Sequence, residues 1–352
     1  MPRYIVLAVL LLLTRFLSIE VYAADTPPPP PQHGIYIPAP LLHKDSIEKT
    51  FKMVLATRAN TLVVDIKEGN GGVSIQNAWN VVDATPNPDY GIIDVPTLLK
   101  FSKVHNIRLV GRIVLFMDPC IAKKHPNWAI RNKNKTLYAE PGIGLCGPIT
   151  FVSPYFDEIW DYNLELAKVA HDSGFQEIQL DYIRFPDQTD IQVVVPRGNK
   201  PVMSRVEVIT KGLERFRQML PAEIPISVDV FGRTVNKADD IIGQNINAMS
   251  KFVSSVNPML YPTLWNSGEF GLESPKDKPY EIVQRSLASM KLFTAEVPHF
   301  PTVRPWYQTG EMEGKNYGRA ETQAQIQAGH DEKVNDWFLW ETEGKYIPEN
   351  VR

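Results

Sequence analysis

Short apolar segments alternate with amphipathic helical segments from His33 to the C-terminus. This order is typical of β-strands connected by helices around a parallel sheet. The predicted strands are residues 34–39, 61–67, 108–116, 177–185, 226–231, 255–261, 301–307 and 335–340. The predicted helices are residues 44–57, 95–105, 154–173, 201–219, 238–251, 279–294 and 319–329. This pattern predicts an α/β fold, a single-domain (β/α)8 TIM barrel with its main insertion at residues 117–152.

The alternation of side chains within a strand indicates which of them face the barrel interior. The outer helices require an apolar face, so the polar face of each strand must point inward. The predicted outward residues are Leu62, Val64, Ile66, Ile178, Leu180, Tyr182, Ile226, Val228 and Val230. The predicted inward residues are Asp65, Lys67, Gln179, Asp181, Ser227 and Asp229. The polar groups near the carboxyl ends of these strands should meet at the mouth, where barrel active sites are built.

An open, doubly wound sheet is the alternative architecture for such an alternation. That fold normally carries a glycine-rich phosphate-binding turn between an early strand and the next helix. The glycine-rich segment 69–72 follows a strand but does not lead into a helix with a suitable pattern. The closed barrel is therefore favoured.

The N-terminus has the order of a secretory signal. Arg3 precedes the apolar run 4–13, and the small residues Ala23 and Ala24 follow. This order predicts a signal peptide at residues 1–24 and an exported protein, periplasmic or secreted. An uncleaved membrane anchor is the alternative, although the run is shorter than the ~20 residues that span a bilayer. We expect a proline-rich linker at residues 25–32, the barrel at 33–352, and no stable membrane insertion after cleavage.

The net charge and the cysteine and histidine content indicate which classes of partner and cofactor to expect. The formal net charge of -3 gives no electrostatic basis for binding nucleic acid or an anionic membrane. Cys120 and Cys146 are the only cysteines, and in an exported protein such a pair predicts a disulfide; two free thiols are the alternative. No histidines stand at ligand spacing, so we expect neither a metal site nor another cofactor.

Two carboxylates on neighbouring strands are the candidate catalytic pair. Asp181 lies near the end of the fourth predicted strand and Asp229 near the end of the fifth. Inward carboxylates at matching height on adjacent strands lie close enough for retaining glycoside hydrolysis, which needs carboxyls roughly 5–5.5 Å apart. Asp181 is the predicted nucleophile and Asp229 the predicted acid/base. The alternative is a structural ion pair of Asp181 with Arg112 or Arg184.

Further polar and aromatic residues should surround this pair. Arg112 is suited to clamping a substrate or a carboxylate, and Lys67 to holding a sugar hydroxyl. For Asp65 a structural ion pair is favoured, while Arg184 is either a substrate ligand or a surface residue. Aromatic rings near the ends of the last three strands predict a platform for stacking sugar rings: Tyr261, Trp306 and Trp340. Glu341, just after the last strand, is the reserve candidate for acid or base.

Four segments of the chain resemble a known family. They are His-Gly-Ile-Tyr at 33–36, Asn-Thr-Leu-Val-Val-Asp-Ile-Lys at 60–67, Gly-Arg-Ile at 111–113 and Leu-Asp-Tyr-Ile-Arg-Phe-Pro at 180–186. The chain is similar, over roughly residues 33–340, to a glycoside hydrolase domain family long catalogued as a domain of unknown function. The resemblance implies a TIM barrel and a carbohydrate substrate. It also relates Asp181 to the strand-four nucleophile of retaining families.

Two other functions remain open. A chitinase-like hydrolase needs an Asp-x-Asp-x-Glu run, but Gln179 and Ile183 occupy its first and last positions here. The other is a catalytically silent carbohydrate-binding barrel that keeps the aromatic platform without a working acid. No Gly-x-Ser-x-Gly segment is present, which disfavours an esterase of the usual type.

Overall fold

Eight parallel strands close into a barrel in the computed structural model of the protein, which describes residues 30–88, 91–196 and 203–352. The strands are β1 (His33–Ile37), β2 (Thr61–Lys67), β3 (Arg108–Val114), β4 (Glu177–Asp181), β5 (Ile226–Phe231), β6 (Ser255–Met259), β7 in two pieces (Thr302–Val303 and Trp306–Gln308) and β8 (Trp337–Trp340). Each strand pairs with the next, and β8 pairs with β1. The predicted barrel is confirmed.

Helices connect the strands and cover the barrel. They are α1 (Ile47–Thr57), α2 (Val95–His105), α3 (Pro119–Lys124), α4 (Asp157–Asp172), α5 (Arg205–Met219), α6 (Ile246–Met249), α7 (Pro279–Thr294), α8 (Arg319–Asp331) and α9 (Pro348–Val351). Short 3₁₀ turns occur at Ala39–Leu42, Gln76–Asn80, Gly232–Val235, Ser250–Phe252, Pro262–Leu264, Glu269–Gly271 and Pro275–Asp277. Residues Gln32–Arg352 form one compact unit. The predicted signal peptide and linker residues 25–29 lie outside the described residues.

The structure corrects two predicted helices. The helix predicted at 201–219 begins at Arg205, where the Ser204 side chain and Glu207 form a capping box. The predicted helix 238–251 is wrong: only Ile246–Met249 is α-helical, followed by the 3₁₀ turn Ser250–Phe252. Its start is fixed by Asn245, whose side chain accepts hydrogen bonds from two backbone amides of the first turn.

Strand ends also differ from prediction, and one difference changes the site. Strand β4 stops at Asp181 because Tyr182 adopts the left-handed conformation, with φ 48°. Tyr182 was predicted to face the helices, but this turn breaks the alternation and brings it to the cavity that Asp181 lines. Strand β7 is divided at Arg304 and Pro305, since proline supplies no amide to the ladder.

Apolar side chains separate into an outer layer and a small interior cluster, as the alternation predicts. Leu62, Ile178 and Val228 belong to the large layer between strands and helices. The interior cluster consists of Tyr36, Val63, Val110, Tyr261, Trp306 and Phe338. Polar side chains fill much of the remaining interior of the barrel.

A buried ion pair occupies the end of the barrel where the strands begin. Arg304 donates to both carboxylate oxygens of Glu177, and Ser227 Oγ donates to Glu177 Oε1 at 2.6 Å. Burial is the largest influence on Glu177 and opposes its ionisation. Arg304 nevertheless brings the pKa of Glu177 below its ordinary value. This end of the barrel is therefore closed by satisfied charges.

The predicted disulfide joins two parts of the insertion after β3 to each other. Cys120, at the start of α3, bonds Cys146 at the tip of the small hairpin of Ile143–Gly144 and Gly147–Pro148, with Cα atoms 4.9 Å apart. The disulfide prediction is confirmed. Two other small pairings join Arg131–Asn132 to Ile191–Gln192 and Gly310–Met312 to Lys315–Tyr317. Among the described residues, no helix has both the length and the apolar character to cross a membrane.

Removing the disulfide should lower stability without changing the fold. The bond closes a loop between residues 26 apart in sequence, which by loop entropy stabilises the folded chain by about 3–4 kcal/mol. We expect a double Cys120→Ser, Cys146→Ser variant to lose free energy of unfolding of that order in urea titrations. Wild-type protein unfolded in reductant is the matched control and should show the same loss. Equal stability of oxidised wild type and variant would contradict this account.

Candidate active site

A cavity of about 280 Å³ opens at the end of the barrel where the strands finish. Its lining residues are Arg112, Asp181, Tyr182, Arg184, Asp229, Phe231, Met259, Tyr261, Leu264, Trp306, Met312, Glu313 and Trp340. Most of the sequence-predicted site residues lie here, drawn from strands β3 to β8 and the segments that follow them. The exceptions are Asp65, Lys67 and Glu341.

Asp181 is held by Arg112 at the floor of the cavity. Arg112 Nη2 and Nε donate to Asp181 Oδ2 at 2.5 and 3.0 Å, and the Tyr182 amide donates to Oδ1 at 2.6 Å. Both oxygens of Asp181 therefore accept charged or backbone donors, which orients its carboxylate.

The same arginine binds a second acid beneath the cavity. Arg112 Nη1 donates to Asp65 Oδ1 at 2.5 Å, and the Tyr36 hydroxyl donates to Asp65 Oδ2 at 2.5 Å. Burial raises the pKa of Asp65 despite the arginine. Asp65 thus forms the structural ion pair favoured from sequence, and it supports the site from below.

Asp229 lies level with Asp181 on the neighbouring strand. The register pairs Leu180 with Val228, so the next residues along both strands are the two aspartates. Asp229 Oδ1 accepts from Trp306 Nε1 at 2.9 Å and from Asn257 Nδ2 at 3.1 Å. Within the described ranges no group donates to Oδ2.

The surroundings of Asp229 favour its protonated form. The side chain is 2% exposed, and burial raises its pKa well above the ordinary value; the negative charge of Asp181 raises it further. The arginine that contacts Asp181 and Asp65 makes no hydrogen bond to Asp229. The two carboxyls therefore have opposite environments, one bound to a cation and the other to neutral donors.

Arg184 is buried at the cavity wall and is not a surface residue. It is 6% exposed, and its guanidinium lies 4.4, 4.7 and 5.3 Å from the ring centroids of Phe231, Tyr182 and Phe151. Its hydrogen bond goes from Nη1 to the Phe185 carbonyl at 3.0 Å. The aromatic rings fix the position of this cation.

The predicted aromatic platform forms only in part. Trp306 is 1% exposed and Tyr261 is buried, so neither offers an open ring face; Trp306 instead holds Asp229. Trp340 is half-buried and stacks on Tyr36 with centroids 4.1 Å apart. A neighbouring cavity of about 340 Å³ shares Phe231, Met259 and Leu264 with the first and is also lined by the half-buried Trp265. The two cavities are therefore adjacent.

The prediction that Lys67 faces the cavity is wrong. Strand β2 has a register irregularity between Asp65 and Lys67, which interrupts the alternation. Lys67 is fully buried, donates to Asp118 Oδ2 at 2.7 Å, and lies 5.2 Å from the ring centroid of Tyr162 on α4. It stabilises the insertion and cannot reach a ligand at Asp181.

Glu341 also lies outside the cavity. Its Oε2 accepts the backbone amides of Glu343 at 3.1 Å and Lys345 at 2.6 Å, so the carboxylate closes a turn after β8. The acid found at the cavity rim is instead Glu313, at the tip of the hairpin that follows β7.

Several residues that line the cavities or contact the carboxyls were not predicted from the sequence. Asn257 could have been found, because it is the polar residue that the register places beside Asp229. Trp265 and Glu313 lie in turns and gave no periodic signal. In the described part of the chain, no group of three or more histidine, cysteine or acidic residues could hold a metal ion.

Comparisons with solved structures show the same fold at low identity. The glycoside hydrolase domain of PgaB (BpsB) from Bordetella bronchiseptica is similar, with a TM-score of 0.64 and 9% identity over 90% of this chain and 95% of that one. α-L-Fucosidase isoenzyme 2 from Paenibacillus thiaminolyticus gives 0.60 and 11%, over 92% and 48%. The α-galactosidase TtGalA from Thermus thermophilus, in complex with p-nitrophenyl α-D-galactopyranoside, gives 0.55 and 14%, over 91% and 60%.

The search of curated proteins found no match. The family comparison, in contrast, covers all eight strands of the barrel, apart from His33, and both aspartates of the site. Its sequence model, described as "Putative glycosyl hydrolase domain", matches residues 34–346. The chain belongs to this glycosyl hydrolase domain family.

Proposed function

We propose that the protein is a retaining glycoside hydrolase acting on a polysaccharide or oligosaccharide, with Asp181 as nucleophile and Asp229 as acid/base. The observation that carries the proposal is the contrast between two level carboxyls lining one cavity. Asp181 is bound to Arg112, whereas burial raises the pKa of Asp229. Carboxyls on adjacent strands suit the separation of roughly 5–5.5 Å that retaining enzymes use.

Each carboxyl then has one duty in each half of the reaction. Asp181 attacks the anomeric carbon, while Asp229 gives its proton to the departing glycosidic oxygen. In the second half Asp229 takes a proton from water, which attacks the glycosyl–Asp181 ester and releases the sugar. Arg112 orients the Asp181 carboxylate for attack through its hydrogen bonds and stabilises the carboxylate again when it leaves.

The cleft around the pair suits a carbohydrate chain. Trp340 lines the same cavity as the two carboxyls and Trp265 lines the adjacent one, so sugar rings can stack at both places. This arrangement accommodates more than one sugar unit. The chitinase-like alternative is disfavoured because Ile183, at the position of its acid, is fully buried in the outer apolar layer.

We also propose that the protein is exported to the periplasm or secreted. The barrel domain at 33–352 would follow a signal peptide at 1–24 and a proline-rich linker at 25–32. The Cys120–Cys146 disulfide supports an oxidising compartment.

Replacing Asp181 with alanine should abolish turnover and leave the protein folded, since Arg112 retains its bond to Asp65. Purified wild type and variant are assayed by reducing-sugar release on a polysaccharide panel, with folding checked by circular dichroism. Azide should restore cleavage and give a glycosyl azide of inverted configuration, which has no reducing end and is detected by mass spectrometry. Glu313→Gln is the control, because Glu313 lines the same cavity without a proposed role. Full turnover by Asp181→Ala would assign the reaction to a different nucleophile, whereas binding of a glycan without turnover by the wild type would leave the carbohydrate-binding alternative.

Replacing Asp229 with asparagine should reduce kcat/KM by about 10²- to 10⁴-fold, the usual contribution of a general acid. In the wild type kcat/KM should fall as pH rises through the raised pKa of Asp229, because the acid loses its proton. This fall at alkaline pH should be absent from the pH profile of the residual activity of the variant. An unchanged alkaline limb would assign it to another group.

Stability should report the same ionisation. A carboxyl whose pKa is raised by folding stabilises the protein relative to its asparagine variant at low pH and loses that contribution as pH rises through the folded pKa. Wild type should therefore lose melting temperature relative to Asp229→Asn as pH rises from roughly 4, the unfolded value, through the raised pKa of the folded protein. Parallel profiles would mean that the pKa of Asp229 is not raised in the folded protein.

A further inference from the structure

Four cationic side chains are buried in the described part of the chain: Lys67, Arg112, Arg184 and Arg304. Three of them contact carboxylates. Lys67 pairs with Asp118, Arg112 with Asp65 and Asp181, and Arg304 with Glu177. Arg184 has no carboxylate within 4 Å among the described residues, and it is the one of the four, apart from Arg112, that lines the cavity.

The guanidinium of Arg184 is left with unused donors. Nη1 donates to the Phe185 carbonyl, while Nε and Nη2 have no acceptor within the ranges that the structure describes. Asp187, the nearest acid in sequence, does not supply one, because Arg233 binds both of its oxygens at 2.6 and 2.7 Å.

The surroundings hold this cation in place without neutralising it. The rings of Phe231, Tyr182 and Phe151 lie around the guanidinium and favour a positive charge, but they accept no N–H···O bonds. A buried charge that no carboxylate contacts is costly, so an anion that enters the cavity gains a strong interaction. Arg112 cannot serve it, since two carboxylates already occupy its donors.

We propose that the cavity binds an acidic saccharide, one whose sugar carries a carboxylate, and that Arg184 is the residue that binds this carboxylate. That the ligand is a saccharide rests on the proposed function. That this saccharide carries a negative charge is inferred from Arg184. A planar guanidinium with two free nitrogens matches a carboxylate, which it can bind through two parallel hydrogen bonds. Arg184 follows Asp181 by three residues and lines the same cavity, so the bound carboxylate lies near the reacting sugar.

The first test needs only the wild-type protein. Acidic polysaccharides (polygalacturonate, alginate, hyaluronan and heparosan) are assayed beside the same polymers after reduction of their carboxylates to hydroxymethyl groups. We expect at least one acidic polymer to be cleaved, and its reduced form to show a KM raised about 10- to 100-fold, the range for losing hydrogen bonds to a charged group. Equal KM values for both forms would overturn the proposal.

The second test assigns the effect to Arg184. Arg184→Met should raise KM for the acidic polymer by a similar factor and leave KM for the reduced polymer unchanged; Arg184→Lys should lie between. Arg205→Met is the matched control, because Arg205 also lies over an aromatic ring, that of Phe185, but outside the cavity. If Arg184→Met does not fold, the lysine variant and the wild-type comparison decide. A KM that both Arg184 variants leave unchanged would overturn the proposal.

Calorimetric binding of tri- and tetragalacturonate and of hyaluronan oligosaccharides separates this inference from the proposed hydrolysis. Binding that is lost in Arg184→Met, without cleavage of any glycan, would support the acidic-saccharide site and remove the hydrolase. Cleavage of neutral glycans that Arg184→Met does not alter would support the hydrolase and overturn the acidic-saccharide site.

Discussion

The architecture of the site depends on the guanidinium of Arg112, which lies between Asp65 and Asp181. The arginine and both acids are buried, so each would be costly alone, on the order of several kcal/mol per ion. Together they connect strands β2, β3 and β4 across the interior of the barrel. The hydroxyl of Tyr36 extends the connection to β1. One cation therefore sets the positions of side chains on four consecutive strands.

Buried charged groups are paired differently at the two ends of the barrel. At the end where the strands begin, Arg304 and Glu177 satisfy each other, and Ser227 and Arg108 add further donors. At the mouth, Asp229 keeps one oxygen without a donor among the described groups, and none of the described carboxylates contacts Arg184. Charged groups that are fully paired stabilise the first end. Groups at the mouth that lack a partner can be paired by a ligand.

The barrel could be predicted because apolar and polar residues alternate regularly in the sequences of β2, β4 and β5. The apolar residues of each strand pack against helices. The same reasoning placed Asp181 and Asp229 near one another. It failed where the backbone departs from regular geometry: at the irregularity before Lys67 and at the left-handed Tyr182. Neither departure has a marker in the sequence, because lysine and tyrosine do not require such conformations.

Long-range contacts were likewise beyond the reach of local patterns. The environment of Arg184 is assembled from Phe151 in the insertion and Phe231 at the end of β5, which are far apart in the chain. Trp306 was predicted to be a stacking residue because it shares its position near a strand end with Tyr261 and Trp340. Its actual contact, the indole N–H to Asp229, depends on the packing of β5, β6 and β7.

That indole contact has an optical consequence. Indole absorption and emission respond to a charge placed beside the N–H, through the internal Stark effect. Because the indole of Trp306 is buried and bonded directly to Asp229 Oδ1, loss of the carboxyl proton places a negative charge 2.9 Å from the ring nitrogen. The chain thus contains its own chromophore at the carboxyl, and a spectroscopic titration of this tryptophan follows the proton in the intact protein, without any added dye or substrate.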